Sequence, residues 1–236
     1  FSFYSPVPGY PALRNAICAK LKNENGLDYK PDEIVCSNGA KQSVCNVILA
    51  IISKGDEVII PAPYWVSYPE MVTLADGKSV FVYAGINQDF KMTPAQLENA
   101  ITPKTKALIL CSPSNPTGSV YSKEELKGLA DVLAKYPNII IISDEIYEHI
   151  NYLGKHESIA QFENIRDRVV IVNGVSKAYA MTGWRLGWLV VPEKLAPVIE
   201  RIAQNLFICP SSISQQAALA CFEDASIKEY EQRRAE

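Results

Sequence analysis

Histidine is scarce in this 236-residue chain, which has two histidines, and none of its six cysteines forms a CxxC pair. Zinc centres are built mainly from these two residue types, so we expect no metal site and buried, unreactive thiols. The formal net charge is only −3, which excludes the strongly basic surface typical of nucleic-acid or anionic-membrane binding. The sequence also lacks the run of about 18 uncharged apolar residues that a membrane span requires.

The composition is otherwise that of a globular protein, with 48% hydrophobic and 21% charged residues. Domains contain roughly 100–200 residues, so the length suggests one large domain or two small ones. Unpaired cysteines are typical of a reducing compartment, and we therefore expect a cytoplasmic protein. The sequence starts at Phe1 without an initiator methionine and stops within a charged helical stretch, from which we expect a piece of a longer protein.

Short runs rich in isoleucine and valine alternate along the chain with longer amphipathic stretches. The runs predict seven strands, at Ile34–Ser37, Glu57–Pro61, Ser79–Tyr83, Ala107–Cys111, Ile139–Ser143, Val169–Asn173 and Gly187–Val191. The amphipathic stretches predict helices at Lys41–Ile52, Ser67–Ala75, Pro94–Ala100, Ser122–Lys135, Lys194–Leu206 and Ser212–Phe222. Such alternation is typical of βαβ units. We therefore predict an α/β protein of three layers, with a mostly parallel sheet of about seven strands between layers of helices.

Polar residues follow several of the predicted strands. The carboxyl ends of parallel strands meet at one edge of a sheet, and ligands bind there. The turn Gly39-Ala40-Lys41 follows the first strand, and a helix begins there. The free N–H groups at a helix N-terminus can bind a phosphate. An ordinary tight turn would explain the same residues. Asn115 lies in a proline-rich loop after the fourth strand, and this loop would hold its amide at the same edge.

A carboxylate, a phenol and an amine follow two further strands. Asp144 comes soon after four consecutive isoleucines, where a buried charge needs a partner, and Tyr147 follows three residues later. Lys177 lies beyond the strand at Val169–Asn173. Taken singly, Asp144 is explained equally well as a helix-capping residue, and Lys177 as a surface lysine. Together, a phosphate seat, an amine and an acid are the set that pyridoxal 5′-phosphate needs.

The same residues belong to a series of motifs that resembles the class I (fold type I) aminotransferases, which use pyridoxal phosphate, and in particular the bacterial aspartate aminotransferase branch. The series runs in chain order from Tyr4 to Gly187. Its motifs are Tyr4-Ser5-Pro6-Val7-Pro8-Gly9 with Leu13-Arg14, Asn38-Gly39-Ala40-Lys41-Gln42, Gly55-Asp56-Glu57-Val58, Pro63-Tyr64-Trp65-Val66-Ser67-Tyr68, Ser114-Asn115-Pro116-Thr117-Gly118, Ser143-Asp144-Glu145-Ile146-Tyr147, and Ser176-Lys177 with Gly183-Trp184-Arg185-Leu186-Gly187.

The resemblance implies roles around the cofactor ring. Lys177 would bind the cofactor through an imine and later move the substrate proton. Asp144 would pair with the ring nitrogen, and Tyr147 and Asn115 would contact the ring 3-oxygen. Trp65 would stack on the ring face, and both Trp65 and Asn115 would contact the substrate.

The resemblance also implies how the phosphate is held and how the chain is organised. Arg185 and the backbone N–H groups of Gly39-Ala40-Lys41 would grip the phosphate, with help from Tyr4 of the partner subunit in a homodimer. Residues 1–205 would form the cofactor-binding domain, and 206–236 would begin a helical connection to a small C-terminal domain. That domain would carry the arginine for the substrate α-carboxylate. A serine that some branches have three residues before the lysine is replaced here by Gly174, so we do not expect that phosphate contact.

The activity implied is transfer of an amino group from an amino acid, aspartate in this branch, to a 2-oxo acid such as 2-oxoglutarate. Aromatic amino acids, alanine and prephenate stay open as substrates. A pyridoxal-phosphate lyase on the same scaffold and a catalytically incomplete cofactor-binding dimer module also stay open. A hydrolase is excluded by chain order, because Ser176 lies in an approximate nucleophile elbow but both histidines, His149 and His156, precede it.

Overall fold

The computed structural model describes residues 3–235. Within that range seven strands are present: β1 (Ile34–Ser37), β2 (Glu57–Ala62), β3 (Lys78–Tyr83), β4 (Thr105–Cys111), β5 (Ile140–Asp144), β6 (Val169–Gly174) and β7 (Gly187–Val190). Their order in the sheet is β1-β7-β6-β5-β4-β2-β3. Three of the recorded strand pairs are parallel and one is antiparallel. The predicted α/β class with a mostly parallel, seven-stranded sheet is therefore confirmed.

The same range contains nine α-helices, most of them between or after the strands. They are α1 (Pro11–Lys20), α2 (Ala40–Ile51), α3 (Ser67–Leu74), α4 (Pro94–Ala100), α5 (Lys123–Leu133), α6 (Glu163–Arg166), α7 (Ala196–Leu206), α8 (Ser212–Leu219) and α9 (Asp224–Ala235). Helix α5 begins at a capping box, in which Ser122 and Glu125 each accept the other's backbone N–H. No helix among the described residues is long and apolar enough to cross a membrane.

The chain divides into two compact units. The first unit comprises the N-terminal part through Asn46, Ile146–Ile150 and the chain from Val172 onward, and the second comprises Val47–Glu145 and Asn151–Ile171. Each has its own fully buried apolar side chains, among them Leu13, Ile17, Ile34 and Leu189 in the first and Ile59, Leu108, Leu129 and Ile141 in the second. The domain boundary expected near residue 205 stays a prediction.

In the second unit, strands β3, β2, β4 and β5 are neighbours and run parallel. Their carboxyl ends therefore lie at one edge, and the register pairs Cys111 at the end of β4 with Asp144 at the end of β5. The loops that follow β2 and β4 start from this edge. Trp65 comes three residues after β2, and Asn115 comes four residues after β4.

In the first unit, β1 and β7 are antiparallel, and Ser37 pairs with Gly187. The end of β1 therefore lies beside the beginning of β7. This register brings the turn after Ser37 next to the residues that precede Gly187. Arg185 comes before β7, as the predicted strand at Gly187–Val191 implied.

The strand and helix bounds differ from the predicted ones by at most two residues at most ends. The larger difference is helix α1, which was not predicted from the sequence although Pro11 occupies its first turn. A second difference concerns β3, whose residues are mostly exposed or half-buried, whereas the predicted architecture places the sheet between layers of helices. Strand β3 is last in the sheet order, which explains its exposure.

Candidate active site

The turn between β1 and α2 is built around Gly39. This residue has φ +89°, a left-handed conformation that favours glycine, and its carbonyl accepts the N–H groups of Gln42 and Ser43 in the first turn of α2. The N–H of Asn38 is held by the Gln42 side chain at 2.8 Å. Ala40 and Lys41 are the first residues of the helix. The positive end of the α2 dipole therefore lies at this turn, as a phosphate seat requires.

Arg185 lies against this turn. Its guanidinium donates to the carbonyl oxygens of Asn38, at 3.0 Å, and Thr182, at 2.8 Å. A β-carbon at Gly39 would stand 2.4 Å from Nη2 of Arg185, so a side chain there would displace the guanidinium. The side chain of Arg185 is otherwise exposed. An accessible guanidinium at a helix N-terminus forms a suitable anion site, and the structure brings these two predicted phosphate groups together.

Lys177 and Tyr147 are also neighbours in the first unit. The Nζ atom of Lys177 lies 5.7 Å from the centre of the Tyr147 ring, within the range of a cation–π contact. All residues of β6 and the two that follow it, Val175 and Ser176, are buried, whereas Lys177 is exposed. The accessible amine of Lys177, which follows the buried strand β6, therefore lies beside the phenol of Tyr147, as the sequence predicts.

A buried ion pair supports the segment that carries Tyr147. The next residue, Glu148, pairs with Lys20 of α1, and both side chains are almost completely buried. Asn173 at the end of β6 and Asn25 donate to the same carboxylate at 2.7 and 3.1 Å. The Glu148 carboxylate therefore links the segment next to Tyr147 to Lys20 of α1 and to Asn173 of β6.

Asp144 is the last residue of β5 in the second unit, and it is 4% exposed. The hydroxyl of Tyr68 donates a hydrogen bond of 2.6 Å to its Oδ2 atom. Burial and the adjacent carboxylate raise the pKa of Tyr68 well above its ordinary value, so that the phenol stays a donor. The expectation that a buried aspartate needs a partner is met by this tyrosine.

Trp65 and Asn115 are the other predicted site residues of the second unit. Trp65 contacts Tyr68, and Asn115 contacts Cys111, which lies beside Asp144 in the sheet. The edge of Trp65 packs on Tyr68, with ring centres 5.3 Å apart and an angle of 89° between the planes. The backbone of Asn115 hydrogen-bonds to the thiol of Cys111, and burial and the charge of Asp144 raise the pKa of Cys111 to about 12. Tyr68, Cys111 and Asn115 share the wall of one small cavity.

The predicted site residues thus form two groups, one in each unit. Gly39, Ala40, Lys41, Arg185, Tyr147 and Lys177 belong to the first unit, and Asp144, Trp65 and Asn115 to the second. Tyr4 also lies in the first unit and is 80% exposed, with its expected phosphate contact still a prediction. The role of each residue, and the binding of one cofactor by both groups, likewise stay predictions.

Two residues around Asp144 were missed by sequence reasoning. Tyr68 was quoted within a motif but was given no role, and Cys111 was treated as an inert thiol. The only sequence signal for Tyr68 is its position three residues after Trp65, whose carbonyl accepts the N–H of Tyr68 at 3.1 Å. Its partner Asp144 is 76 residues away, and only the fold joins them.

Comparison with known proteins agrees with this geometry. The model of the family "Aminotransferase class I and II" matches residues 1–236. A bifunctional aspartate aminotransferase and glutamate/aspartate-prephenate aminotransferase of Petunia hybrida is 52% identical over 218 residues, covering 92% of this chain and 46% of the relative. An aspartate/prephenate aminotransferase of Nitrosomonas europaea is 50% identical over 222 residues, covering 93% of this chain and 56% of the relative.

Solved structures show the same fold. An aspartate aminotransferase of Thermus thermophilus with maleate has a TM-score of 0.95 and 40% identity, over 99% of this chain and 61% of that one. An aromatic aminotransferase of Pyrococcus horikoshii has a TM-score of 0.95 and 39% identity, over 99% of this chain and 63% of that one. The chain belongs to the class I and II aminotransferase family. It spans about half the length of the curated relatives it matches.

Proposed function

We propose that the protein is a pyridoxal-phosphate-dependent aminotransferase that moves the amino group of aspartate to a 2-oxo acid such as 2-oxoglutarate. The observation that carries this proposal is the accessible amine of Lys177 beside the phenol of Tyr147, at the end of a fully buried strand. Family membership supports it, since the relatives named above are aspartate or aspartate/prephenate aminotransferases.

The residues present fit the cofactor at both of its charged ends. Because Gly39 has no β-carbon, the guanidinium of Arg185 fits against the start of α2, where it can bind the phosphate. Asp144 is a buried carboxylate held by a phenol, which suits a protonated ring nitrogen. Trp65 offers an aromatic face, and Asn115 an amide for the ring oxygen.

When bound, pyridoxal phosphate supplies an aldehyde that links to amines and a ring that accepts electrons from the substrate carbon. Lys177 would supply the amine that holds the cofactor, and its Nζ atom, once free, would take the proton from the substrate Cα. Asp144 would keep the ring nitrogen protonated. Tyr147 and Asn115 would hydrogen-bond to the ring oxygen, and Arg185 would anchor the phosphate.

A half-reaction separates transamination from a lyase reaction. Full-length protein saturated with cofactor is mixed with aspartate in the absence of any 2-oxo acid. A transaminase releases one oxaloacetate per bound cofactor and then stops until an acceptor is added, whereas a lyase continues to turn over. Continued release without acceptor, or no release from aspartate, would overturn the proposal. Restarting the reaction with 2-oxoglutarate or with prephenate then identifies the acceptor.

We further infer a homodimer in the cytoplasm. Tyr4 is exposed and belongs to the motif that the family resemblance assigns to the partner's phosphate, which supports a dimer. The six cysteines are all free, which supports a reducing compartment. Sedimentation of the full-length protein tests the dimer, and loss of cofactor affinity on dilution to monomer is the expected result. Fractionation of the source cells tests the location.

A further inference from the structure

We propose that Tyr68 is a positioning residue for Asp144, which it fixes and keeps ionised so that the carboxylate can hold the protonated ring nitrogen of the cofactor. This inference rests on the proposed function, because it needs Asp144 to face the cofactor. It assigns a role to a residue that contacts the acid rather than the reacting atoms.

The geometry of the pair supports a fixed orientation. The Tyr68 hydroxyl donates to Oδ2 of Asp144 at 2.6 Å, and the two residues are 2% and 4% exposed. Tyr68 lies in the first turn of α3, and Asp144 ends β5, so both come from regular elements. A hydrogen bond between two buried groups restricts the rotation of the carboxylate, because breaking it would deprive the buried Tyr68 hydroxyl of this acceptor.

The direction of the hydrogen bond supports the charged form of the acid. The raised pKa of Tyr68 means that the phenol keeps its proton throughout the working range of an enzyme. An ionised carboxylate only accepts, so donor and acceptor are fixed. A hydrogen bond donated to a carboxylate favours its charged form, and Tyr68 donates such a bond to Asp144.

Two further contacts join Tyr68 to the rest of the second group. Cys111, the cross-strand neighbour of Asp144, lies with Tyr68 in the wall of one cavity and donates its thiol proton to the carbonyl of Pro113 at 3.3 Å. Its pKa of about 12 keeps the thiol neutral, so no second anion competes for the phenol. Trp65 packs its edge on the Tyr68 ring. Tyr68 therefore connects the proposed acid to the aromatic ring that is proposed to stack on the cofactor.

Tyr68→Phe tests the proposal, because it keeps the ring and removes only the hydroxyl. Tyr121→Phe is the matched control: Tyr121 is a buried tyrosine of the same unit, 4% exposed, whose oxygen accepts the N–H of Met92 at 2.7 Å. In the full-length protein we measure the dissociation constant of pyridoxal phosphate, the ¹⁵N shift of the labelled ring nitrogen, and kcat and KM for aspartate. Thermal unfolding of both variants is recorded without cofactor.

For Tyr68→Phe we expect the dissociation constant to rise about tenfold to hundredfold, as for loss of a hydrogen bond to a charged group. The ¹⁵N shift moves toward that of unprotonated pyridine, and kcat falls while KM changes little. Tyr121→Phe lowers thermal stability by a similar amount but leaves the shift as in the unsubstituted protein. A normal ¹⁵N shift in Tyr68→Phe overturns this inference alone. Absence of cofactor binding by the unsubstituted protein overturns the proposed function, and this inference with it.

Discussion

The guanidinium of Arg185 occupies the space where a side chain at position 39 would lie, with Nη2 at 2.4 Å from an ideal β-carbon on Gly39. The contact follows from the antiparallel register of β1 and β7, which places the two segments side by side. The same register explains why one arginine can serve the start of α2 from a position 146 residues further along the chain.

Gly39→Ala is therefore expected to impair cofactor binding beyond its effect on stability. The methyl group forces the guanidinium away from the carbonyl of Asn38, and we expect affinity for pyridoxal phosphate to fall about tenfold or more. The matched control is Gly55→Ala, since Gly55 has φ +88° but nothing within 4 Å of its ideal β-carbon. Both variants should lose about 1–2 kcal/mol in urea unfolding, from backbone strain. Equal cofactor affinity in the two variants would contradict the phosphate assignment.

Arg185→Lys is expected to weaken binding of the phosphate specifically. The guanidinium donates to two carbonyls at once from a planar fork, whereas an ammonium group cannot keep this geometry and also present a donor pair to phosphate. Affinity for pyridoxal phosphate should fall about tenfold, while affinity for pyridoxal, which lacks the phosphate, should stay the same. Fluorescence titration with both ligands measures this. Equal losses for the two ligands would count against Arg185 as the phosphate anchor.

Lys177→Ala is expected to abolish covalent attachment of the cofactor. With the unsubstituted protein, reduction by borohydride followed by peptide mass mapping should place the adduct on Lys177. Lys155→Ala is the control, because Lys155 is also an exposed lysine but lies in a loop of the second unit. An adduct that persists in Lys177→Ala, or that maps to another lysine in the unsubstituted protein, would show that the amine is wrongly assigned.

Much of the fold could be predicted because strand and helix signals are local. Helix α4 begins and ends where the sequence indicated, since Pro94 and the Thr93 cap mark its start. Helix α1 could not be predicted in this way. Its buried face includes Lys20, whose charge is matched by Glu148, 128 residues away. A lysine is expected on the surface of an amphipathic helix, so the pattern of apolar residues does not reveal that Lys20 is buried.

The candidate site was predictable to the extent that its residues follow strand ends. Asp144 and Asn115 could be found in this way because the parallel strands β4 and β5 end at one edge, and Lys177 because it follows β6. Tyr68 could not, since its role depends on a hydrogen bond from α3 to β5 that leaves no local pattern. Strand pairing also leaves no mark in an apolar run, which is why the hydrogen bond from Arg185 to the Asn38 carbonyl was a finding of the structure.

Stability should decrease in alkaline solution because thiols are buried. Burial raises the pKa of Cys36 from 9.0 to about 12, so the folded protein keeps a proton that the unfolded chain releases. The resulting stability is fully present below pH 9 and is lost as the pH rises toward 12. Urea unfolding from pH 7 to 11 should show Cys36→Ala losing about 1.4 kcal/mol less per pH unit than the unsubstituted protein above pH 9. Equal slopes would show that Cys36 does not keep its proton.

Lys20→Met should destabilise the first unit strongly, because it leaves the buried Glu148 carboxylate without its counter-charge. Removing one partner of a buried ion pair costs about 3–5 kcal/mol. Lys127→Met is the control, since Lys127 pairs with Asp131 at 2.6 Å on an exposed helix face, where such pairs contribute about 0.3–0.5 kcal/mol. Urea unfolding of both variants measures the difference. The double variant Lys20→Met, Glu148→Gln should recover a large part of the loss, because no uncompensated charge stays buried. If the double variant is no more stable than Lys20→Met, the cost arises from packing of the lysine side chain and not from the charge of Glu148.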